Sequence, residues 1–184
     1  ASNGNEGVFL VWHWWDYSLG NNDSEPGKIS GAPRDVCFAA SFDDGRTWQR
    51  ANGSLYQLPI RKTTADYIYK GEDVIYWAGL TVDPRGVPHV LYSLGSWRSS
   101  RTYHAKWERS WRIIIVGNRI FSPTLGADSY GVLHGFAMRR TNEGGLYEIA
   151  YLRSEDQGAR WTIANVTAKS KYPQRYPVLS ITNG

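Results

Sequence analysis

The chain has 184 residues, a length that suits one domain, and its 14% aromatic content, with 9 Trp and 12 Tyr, favours short half-buried strands over a helical bundle. The net charge of +4 comes from scattered Lys and Arg residues without a polybasic run, so nucleic acid is a poor candidate partner and an anionic ligand remains open. No apolar run predicts a membrane span, and the single cysteine, Cys37, excludes an internal disulfide.

The first predicted strand pair begins at Gly7. The run GVFLVWHWW predicts one strand, and DVCFAAS from Asp35 predicts the next. The residues between them, 16–34, are rich in Gly, Asn, Ser and Pro, which is typical of a long loop. The polar run SFDDGRTW then ends on Trp48, and residues 61–75 carry no clear pattern.

Two further strand pairs follow along the chain. YWAGLTVDPRG and GVPHVLYSL precede RTYHAKW, and this second unit closes on the Trp of WERSW. GVLHGFAMR and GLYEIAYLRS form the third unit, which closes on the Trp of SEDQGARW. RYPVLS resembles the start of another unit. No segment predicts a helix.

The repeat has a period of roughly 50 to 60 residues, which is typical of β-propeller blades of four antiparallel strands. The sequence therefore predicts an all-β fold in which residues 1–184 are a single partial propeller. We expect blades at about residues 7–51, 76–114 and 120–166, and the start of a further blade at 172–184.

The two polar runs that end on Trp predict the same closed hairpin turn. In the first, Asp43 can accept backbone hydrogen bonds, Gly45 permits a positive φ, and Ser41 can tie the start of the turn. We interpret both copies as structural and not catalytic. Their residues are Ser41, Asp43, Gly45, Thr47 and Trp48 in the first copy, and Ser154, Asp156, Gly158 and Trp161 in the second.

SxDxGxTW followed by a hydrophobic strand resembles the Asp-box of sialidase-like propellers. Over about residues 7–166, the order of DVCFAASFDDGRTW, GLTVDPRGVPHVLYS and YHAKWERSW resembles the BNR-repeat family that includes ulvan lyases and related rhamnose-glucuronate lyases and rhamnosidases. The resemblance implies a seven-bladed propeller whose catalytic His, Tyr and Arg lie mainly in blades preceding residue 1. The missing blades are expected from the same protein or from homo-oligomerisation, because an open ring exposes strand edges.

Elimination from a uronate needs a cation for the carboxylate, a base and an acid, for which Arg, His and Tyr are suited. SWRSSRTYHAKW concentrates these residue types, although alternation along a strand places Tyr103 and His104 on opposite faces. The catalytic candidates are Tyr103, His104 and Arg98. The alternative for Arg98 is a solvated loop, and for Tyr103 and His104 it is that one side chain packs in the blade core and the other lies outside it. The candidates for substrate binding are Trp97, Arg98, Arg101, Trp15 and Arg139, the last beside Arg140.

A metal site is a further hypothesis. His13, Cys37 and His104 lie on predicted strands of neighbouring blades and offer the nitrogen and sulfur ligands that zinc prefers, without a supporting motif. No cofactor is expected to be required; a structural zinc or calcium ion is the open alternative. His89 and His134 occupy equivalent strand positions, and this recurrence favours packing.

Three functions remain open on the sequence. The first is a polysaccharide lyase that cleaves rhamnose and glucuronate-containing chains by β-elimination. The others are a non-catalytic glycan-binding propeller and a sialidase-like glycoside hydrolase. The expected partner is an acidic polysaccharide, with neither nucleic acid nor membrane. N-glycosylation patterns at Asn22, Asn52 and Asn165 favour a secreted or extracellular protein, with the periplasm as an alternative.

Overall fold

The computed structural model describes residues 7–16, 32–96, 99–140, 147–168 and 174–181. These residues contain eleven strands and no helix. The strands are β1 (Val8–Asp16), β2 (Ala32–Ser41), β3 (Asp66–Tyr69), β4 (Ile75–Val82), β5 (Pro88–Leu94), β6 (Arg101–Trp107), β7 (Trp111–Asn118), β8 (Ile120–Ala127), β9 (Leu133–Arg140), β10 (Tyr147–Ser154) and β11 (Thr162–Asn165).

The strands form three antiparallel sheets in chain order. The first sheet is β1-β2-β3, the second is β4-β5-β6-β7 and the third is β8-β9-β10-β11. The last two are four-stranded meanders, and neighbouring sheets pack face to face. The predicted all-β class and the partial propeller are confirmed.

The first sheet differs from the other two because its outer strand is divided. Gln49 pairs with Ala40 at one end of β2, and β3 pairs with residues 36–38 nearer the other end. β3 lies in the segment that carried no sequence pattern. By its pairing and its place before the first Asp-box, β1 corresponds to β5 and β9, the second strands of their sheets. The inner position beside β1 therefore holds no strand from the described residues.

The inner strands β4 and β8 pack closely against each other. The Thr81 hydroxyl accepts a 3.0 Å hydrogen bond from the backbone N–H of Ala127. A Cβ built on Gly79 would lie 2.8 Å from the Leu125 backbone nitrogen and 2.9 Å from the Thr124 carbonyl carbon. Only glycine allows this approach, so Gly79 fixes the spacing between the second and third sheets.

A hydrophobic core fills each of the two spaces between neighbouring sheets. Val36 and Phe38 of the first sheet meet Val90 and Tyr92 of the second, and each of these side chains is almost fully buried. The second core joins the second and third sheets through Leu91, Ile120, Leu125, Leu133, Ala137 and Leu152. Every residue of β5 is buried because the strand supplies both cores by alternation. Burial of each large side chain stabilises the fold by about 1.5–3 kcal/mol.

Both Asp-boxes are closed turns held by the same hydrogen bonds. The Ser41 hydroxyl donates to Asp43 Oδ1 at 2.9 Å and accepts from the Gly45 N–H at 2.8 Å, and Asp43 Oδ1 accepts from the Thr47 N–H at 2.9 Å. The Trp48 indole N–H donates to the Gly45 carbonyl at 3.1 Å. The second box repeats these four bonds, with Arg160 in place of Thr47.

In the second and third sheets, the Trp at or directly before the start of the outer strand contacts the preceding sheet. Trp111 meets Phe38 edge to face at 5.2 Å between ring centroids, and Trp161 meets His104 in the same way at 5.3 Å. Such aromatic pairs contribute about 0.5–1.5 kcal/mol beyond area burial. Tyr151 is the equivalent residue of the third sheet, and no ring of a following sheet covers it in the described part of the chain.

Candidate functional site

The three sheets share an upper and a lower edge, which carry different chemistry. At the upper edge β1, β5 and β9 end and β2, β6 and β10 begin. At the lower edge lie both Asp-boxes and the turns at residues 83–87 and 128–132. The upper edges of the second and third sheets are joined by the Arg119 N–H, which donates to the Ser100 carbonyl at 2.7 Å.

The backbones of four arginines lie close together where the upper edges of the second and third sheets join. The Arg140 N–H donates to the Arg119 carbonyl at 2.9 Å, and Arg101 pairs with Asn118. Arg139 precedes Arg140 and pairs with Ile120. We call Arg101, Arg119, Arg139 and Arg140 the arginine cluster. Three of them, Arg101, Arg119 and Arg139, are exposed, so the cluster presents positive charge to solvent.

A buried polar contact supports the arginine cluster from below. The Thr102 hydroxyl donates to the Ile120 carbonyl at 2.7 Å and lies 2.9 Å from the Ser93 hydroxyl. Thr102 is fully buried, and it is the residue after Arg101. This contact links the second sheet to the first residue of β8, so it fixes the backbone on which the arginines stand.

The side chain of Arg139 is held in place by other residues. Its Nη1 atom donates to Asn165 Oδ1 at 3.0 Å, and the Asn165 amide donates to Glu148 Oε2. Glu148 is 8% exposed, so a nearly buried carboxylate anchors the chain of contacts. A guanidinium oriented in this way can donate to a carboxylate or sulfate oxygen with little further loss of side-chain freedom.

The predicted substrate-binding residues that the structure describes all lie at the upper edge. Trp15 is 44% exposed, one residue before the end of β1. The strand has a bulge at His13, between Trp12 and Trp14. The ring centroids of Trp12 and Trp14 are 6.1 Å apart. Arg101 begins β6 and Arg139 is the penultimate residue of β9. Trp97 and Arg98 lie outside the described residues.

The catalytic candidates Tyr103 and His104 are packed between sheets instead of facing the upper edge. The Tyr103 ring stacks on Tyr92 at 5.6 Å, beside the core of the first two sheets. His104 is 2% exposed and lies against Trp161 and Gly158 of the second Asp-box. The two side chains occupy opposite faces of β6, as the sequence alternation predicts.

His104 belongs to a row of polar side chains in the second sheet, and the third sheet has an equivalent row of its own. His104 Nε2 lies 3.0 Å from His89 Nδ1, and His89 Nε2 lies 3.5 Å from Asp83 Oδ2. In the third sheet the corresponding residues are Tyr151, His134 and Asp128, linked at 2.6 Å and 3.1 Å. Each aspartate also accepts two backbone N–H bonds of its turn, so the rows brace the lower-edge turns.

Burial controls the protonation of the histidine pair of the second sheet. Desolvation lowers the pKa of His89 to about 4, against the attraction of Asp83. Desolvation, together with the smaller effect of the neighbouring His89, lowers the pKa of His104 to about 3. Both imidazoles are therefore neutral at pH 7, and one donates to the other.

The structure does not bring the predicted metal ligands together. Cys37 is fully buried in the first sheet opposite Trp12 and Tyr67, while His104 faces the third sheet. Burial raises the pKa of the Cys37 thiol to about 12 and lowers that of His13. Among the described residues, no group of three or more His, Cys, Asp or Glu side chains is arranged to hold a metal ion.

A wide cavity of about 880 Å³ opens at the other end of the inner strands. Its wall includes Leu80, Leu125, Leu179 and Ile181, with Phe9 of the first sheet opposite. Because the walls are inner strands of an incomplete ring, we interpret this space as the open hub and not as the ligand site. The arginine cluster lies outside it.

Sequence reasoning missed Arg119, the Asn165–Glu148 support of Arg139, and Trp77. Arg119 and Glu148 carry no local motif, since their relevance arises only from contacts between strands. For Trp77 the sequence does contain a signal, a short repeat in which a residue stands three positions before a corresponding leucine. The repeat occurs as WAGL at 77–80, SPTL at 122–125 and YPVL at 176–179.

The comparisons with known proteins were consistent with this architecture. A family model for BNR repeat-containing family members matches residues 1–119. An ulvan lyase of polysaccharide lyase family PL25 superposes with a TM-score of 0.61 and 14% identity, over 88% of this chain and 43% of the other. A second structure of an ulvan lyase of family PL25, bound to -[GlcA(1-4)Rha3S]-, gives the same values.

A protein of unknown function from Dyadobacter fermentans superposes with a TM-score of 0.55 and 13% identity, over 86% of this chain and 47% of the other. Comparison with curated proteins finds no match. The chain thus spans 43% of the length of the ulvan lyase structures. Within the described ranges, the structure contains no helix suited to span a membrane. From the match over residues 1–119, together with the three antiparallel sheets, the chain belongs to the BNR repeat-containing family.

Proposed function

We propose that this chain belongs to a carbohydrate-active propeller that binds an acidic polysaccharide at the arginine cluster. The complete protein is proposed to be a polysaccharide lyase that cleaves rhamnose and glucuronate-containing chains by β-elimination. The observation that carries the proposal is the cluster itself, because its exposed guanidinium groups match the carboxylate and sulfate groups of such a chain. The shared fold with an ulvan lyase supports the same substrate class.

The chemistry of elimination gives these arginines a role. Removal of the C5 proton of a uronate leaves an electron pair that places further negative charge on its already ionised carboxylate, and a guanidinium that donates to both oxygens stabilises that charge. Arg139 is best suited because Asn165 and Glu148 already orient it. The acid and base are proposed to come from sheets outside the described residues, since Tyr103 and His104 are packed between sheets.

Further sheets are part of the proposal. β1 lacks an inner neighbour among the described strands, and Tyr151 lacks the ring that covers its equivalents Phe38 and His104. The missing sheets come from the same protein or from other copies of the chain. A secreted or extracellular location, with the periplasm as the alternative, suits a protein that meets a polysaccharide.

The direct test uses the sulfated glucuronate–rhamnose polysaccharide. The protein is incubated with it, and the ultraviolet absorbance of the unsaturated uronate is followed while binding is measured by titration calorimetry. We expect Arg139→Ala to weaken binding roughly tenfold or more, because a hydrogen bond to a charged group contributes about 1.5–3 kcal/mol. Arg153→Ala is the matched control, since Arg153 pairs with Glu155 near the lower edge. Equal affinity of wild type and Arg139→Ala contradicts the proposed site.

A second candidate function is non-catalytic glycan binding. The packing of Tyr103 and His104 between sheets favours it, because the described residues then supply recognition without an acid and a base. Binding that depends on Arg139 but yields no new absorbance supports this candidate. Release of product supports the lyase, and absence of both binding and product contradicts both.

A further inference from the structure

Three equivalent positions along the inner side of the sheets repeat one backbone feature. Trp77, Ser122 and Tyr176 have positive φ values of 52°, 53° and 56°. In β4 and β8 the register shifts at this position, so the residue forms a β-bulge. Each residue stands three positions before Leu80, Leu125 or Leu179, which line the same cavity. The three positions are therefore equivalent points on the inner strands β4 and β8 and on the segment 174–181 that follows them.

The positive φ strains the backbone at these three positions, and none of them holds the glycine that would relieve the strain. A non-glycine residue in the left-handed region is strained by about 1–2 kcal/mol. Two of the three positions hold large aromatic residues. Strain retained at equivalent positions is more typical of a functional site than of a turn.

The two aromatic side chains are exposed, although Trp77 is on the inner strand β4 and Tyr176 is in the segment 174–181, which packs beside the inner strand β8. Trp77 is 58% exposed and Tyr176 is 61% exposed, whereas Ser122 between them is 6% exposed. Trp77 is the third residue of β4, near the upper edge, and only the strand β5 lies between β4 and β6, which begins at Arg101. Arg139 likewise lies opposite the first residue of β8. The exposed rings and the arginine cluster therefore occupy the same end of the sheets.

We propose that Trp77 and Tyr176 are stacking subsites for sugar rings of the acidic glycan, with the bulge turning each ring towards solvent. The inference rests on the proposed function and adds to it the residues that contact the apolar faces of the sugars. The arginines bind the acidic groups, and the aromatic faces bind C–H faces that carry no charge. A glycan that alternates uronate and rhamnose offers both kinds of surface. Because β8 lies between β4, which carries Trp77, and the segment that carries Tyr176, the two rings contact sugars that are not adjacent in the chain.

The test compares affinity for sulfated glucuronate–rhamnose oligosaccharides, measured by titration calorimetry at low and high salt. We expect Trp77→Ala and Tyr176→Ala each to weaken binding roughly three- to tenfold, the range for one aromatic contact. We expect this factor to be similar at both salt concentrations, because stacking is not an ionic interaction. Arg139→Ala is expected to lose more affinity at low salt than at high salt. Trp77→Phe keeps an aromatic face and is expected to stay close to wild type.

Tyr130→Ala is the matched control, because Tyr130 is 91% exposed on a lower-edge turn and its removal is expected to change nothing. If Trp77→Ala and Tyr176→Ala bind as tightly as wild type while Arg139→Ala binds weakly, the stacking subsites are refuted and the proposed function stands. If the wild-type protein binds no acidic oligosaccharide, the proposed function fails and the subsites fail with it. A loss that appears equally in Tyr130→Ala also refutes a role specific to the inner strands.

Discussion

Acidification is predicted to destabilise the protein through the buried pair His89 and His104. The two side chains are 0% and 2% exposed, and burial lowers their pKa values from 6.5 to about 4 and about 3. The unfolded chain therefore binds protons that the folded chain excludes. Because the folded pKa values are lowered, the stability is fully present above about pH 6.5 and is lost as the pH falls towards 4.

The size of the effect follows from the two pKa values. Between 6.5 and about 4, at roughly 1.4 kcal/mol for each pH unit, protonation of His89 costs the folded state about 3 kcal/mol. Protonation of His104 adds to this cost, since two imidazolium rings 3.0 Å apart repel each other. A domain is typically stable by about 5–15 kcal/mol, so the loss is easily measured.

The first sheet indicates which substitution removes the effect. Phe9 and Phe38 occupy the positions that correspond to His89 and His104, and their rings lie 6.4 Å apart. We therefore expect the double variant His89→Phe/His104→Phe to fold and to lose little stability between about pH 7 and about pH 4.5, where wild type loses about 3 kcal/mol from His89 and a further amount from His104. Urea unfolding at both pH values, followed by tryptophan fluorescence, gives the two free energies. His134→Asn, which removes a partly exposed histidine, controls for the loss of an imidazole. Equal acid sensitivity of the double variant and wild type would refute the reasoning.

Three further predictions concern the Asp-boxes, the thiol and the ligand. Gly45→Ala is expected to lower the free energy of unfolding by about 1–2 kcal/mol, because the residue has a positive φ. Gly158→Ala is expected to lower it by about 1–3 kcal/mol more, because the added Cβ would also overlap the His104 ring. Chemical denaturation of both variants tests this, and equal losses contradict it. Cys37, buried with a pKa raised to about 12, is expected to react with a thiol reagent only after unfolding, and a rapid reaction of the native protein contradicts this. Affinity for the acidic polysaccharide is expected to fall steadily with ionic strength, and salt-independent binding in a salt titration would exclude arginine as the main contact.

The sequence was sufficient for features that depend on neighbouring residues. Alternation and turn residues predicted the all-β class and the repeating unit, because strands and hairpins are specified over a few residues. The Asp-box is of the same kind, since Ser41, Asp43 and Gly45 bond within one turn. The sequence did not predict β3, because the strand is four residues long and follows an irregular segment. Its pairing with β2 in the structure is what identifies it as a strand.

What the tertiary structure alone decided is which distant residues meet. Arg101 and Arg139 appeared as separate candidates in the sequence, and backbone hydrogen bonds from Ser100 through Arg119 to Arg140 bring them to one edge. His104 appeared beside Tyr103 as a catalytic candidate, yet the packing of the third sheet buries it against Trp161. The physical reason is that alternation specifies the face on which a side chain lies. The sheet that covers that face, and hence its exposure and charge, follows only from long-range packing.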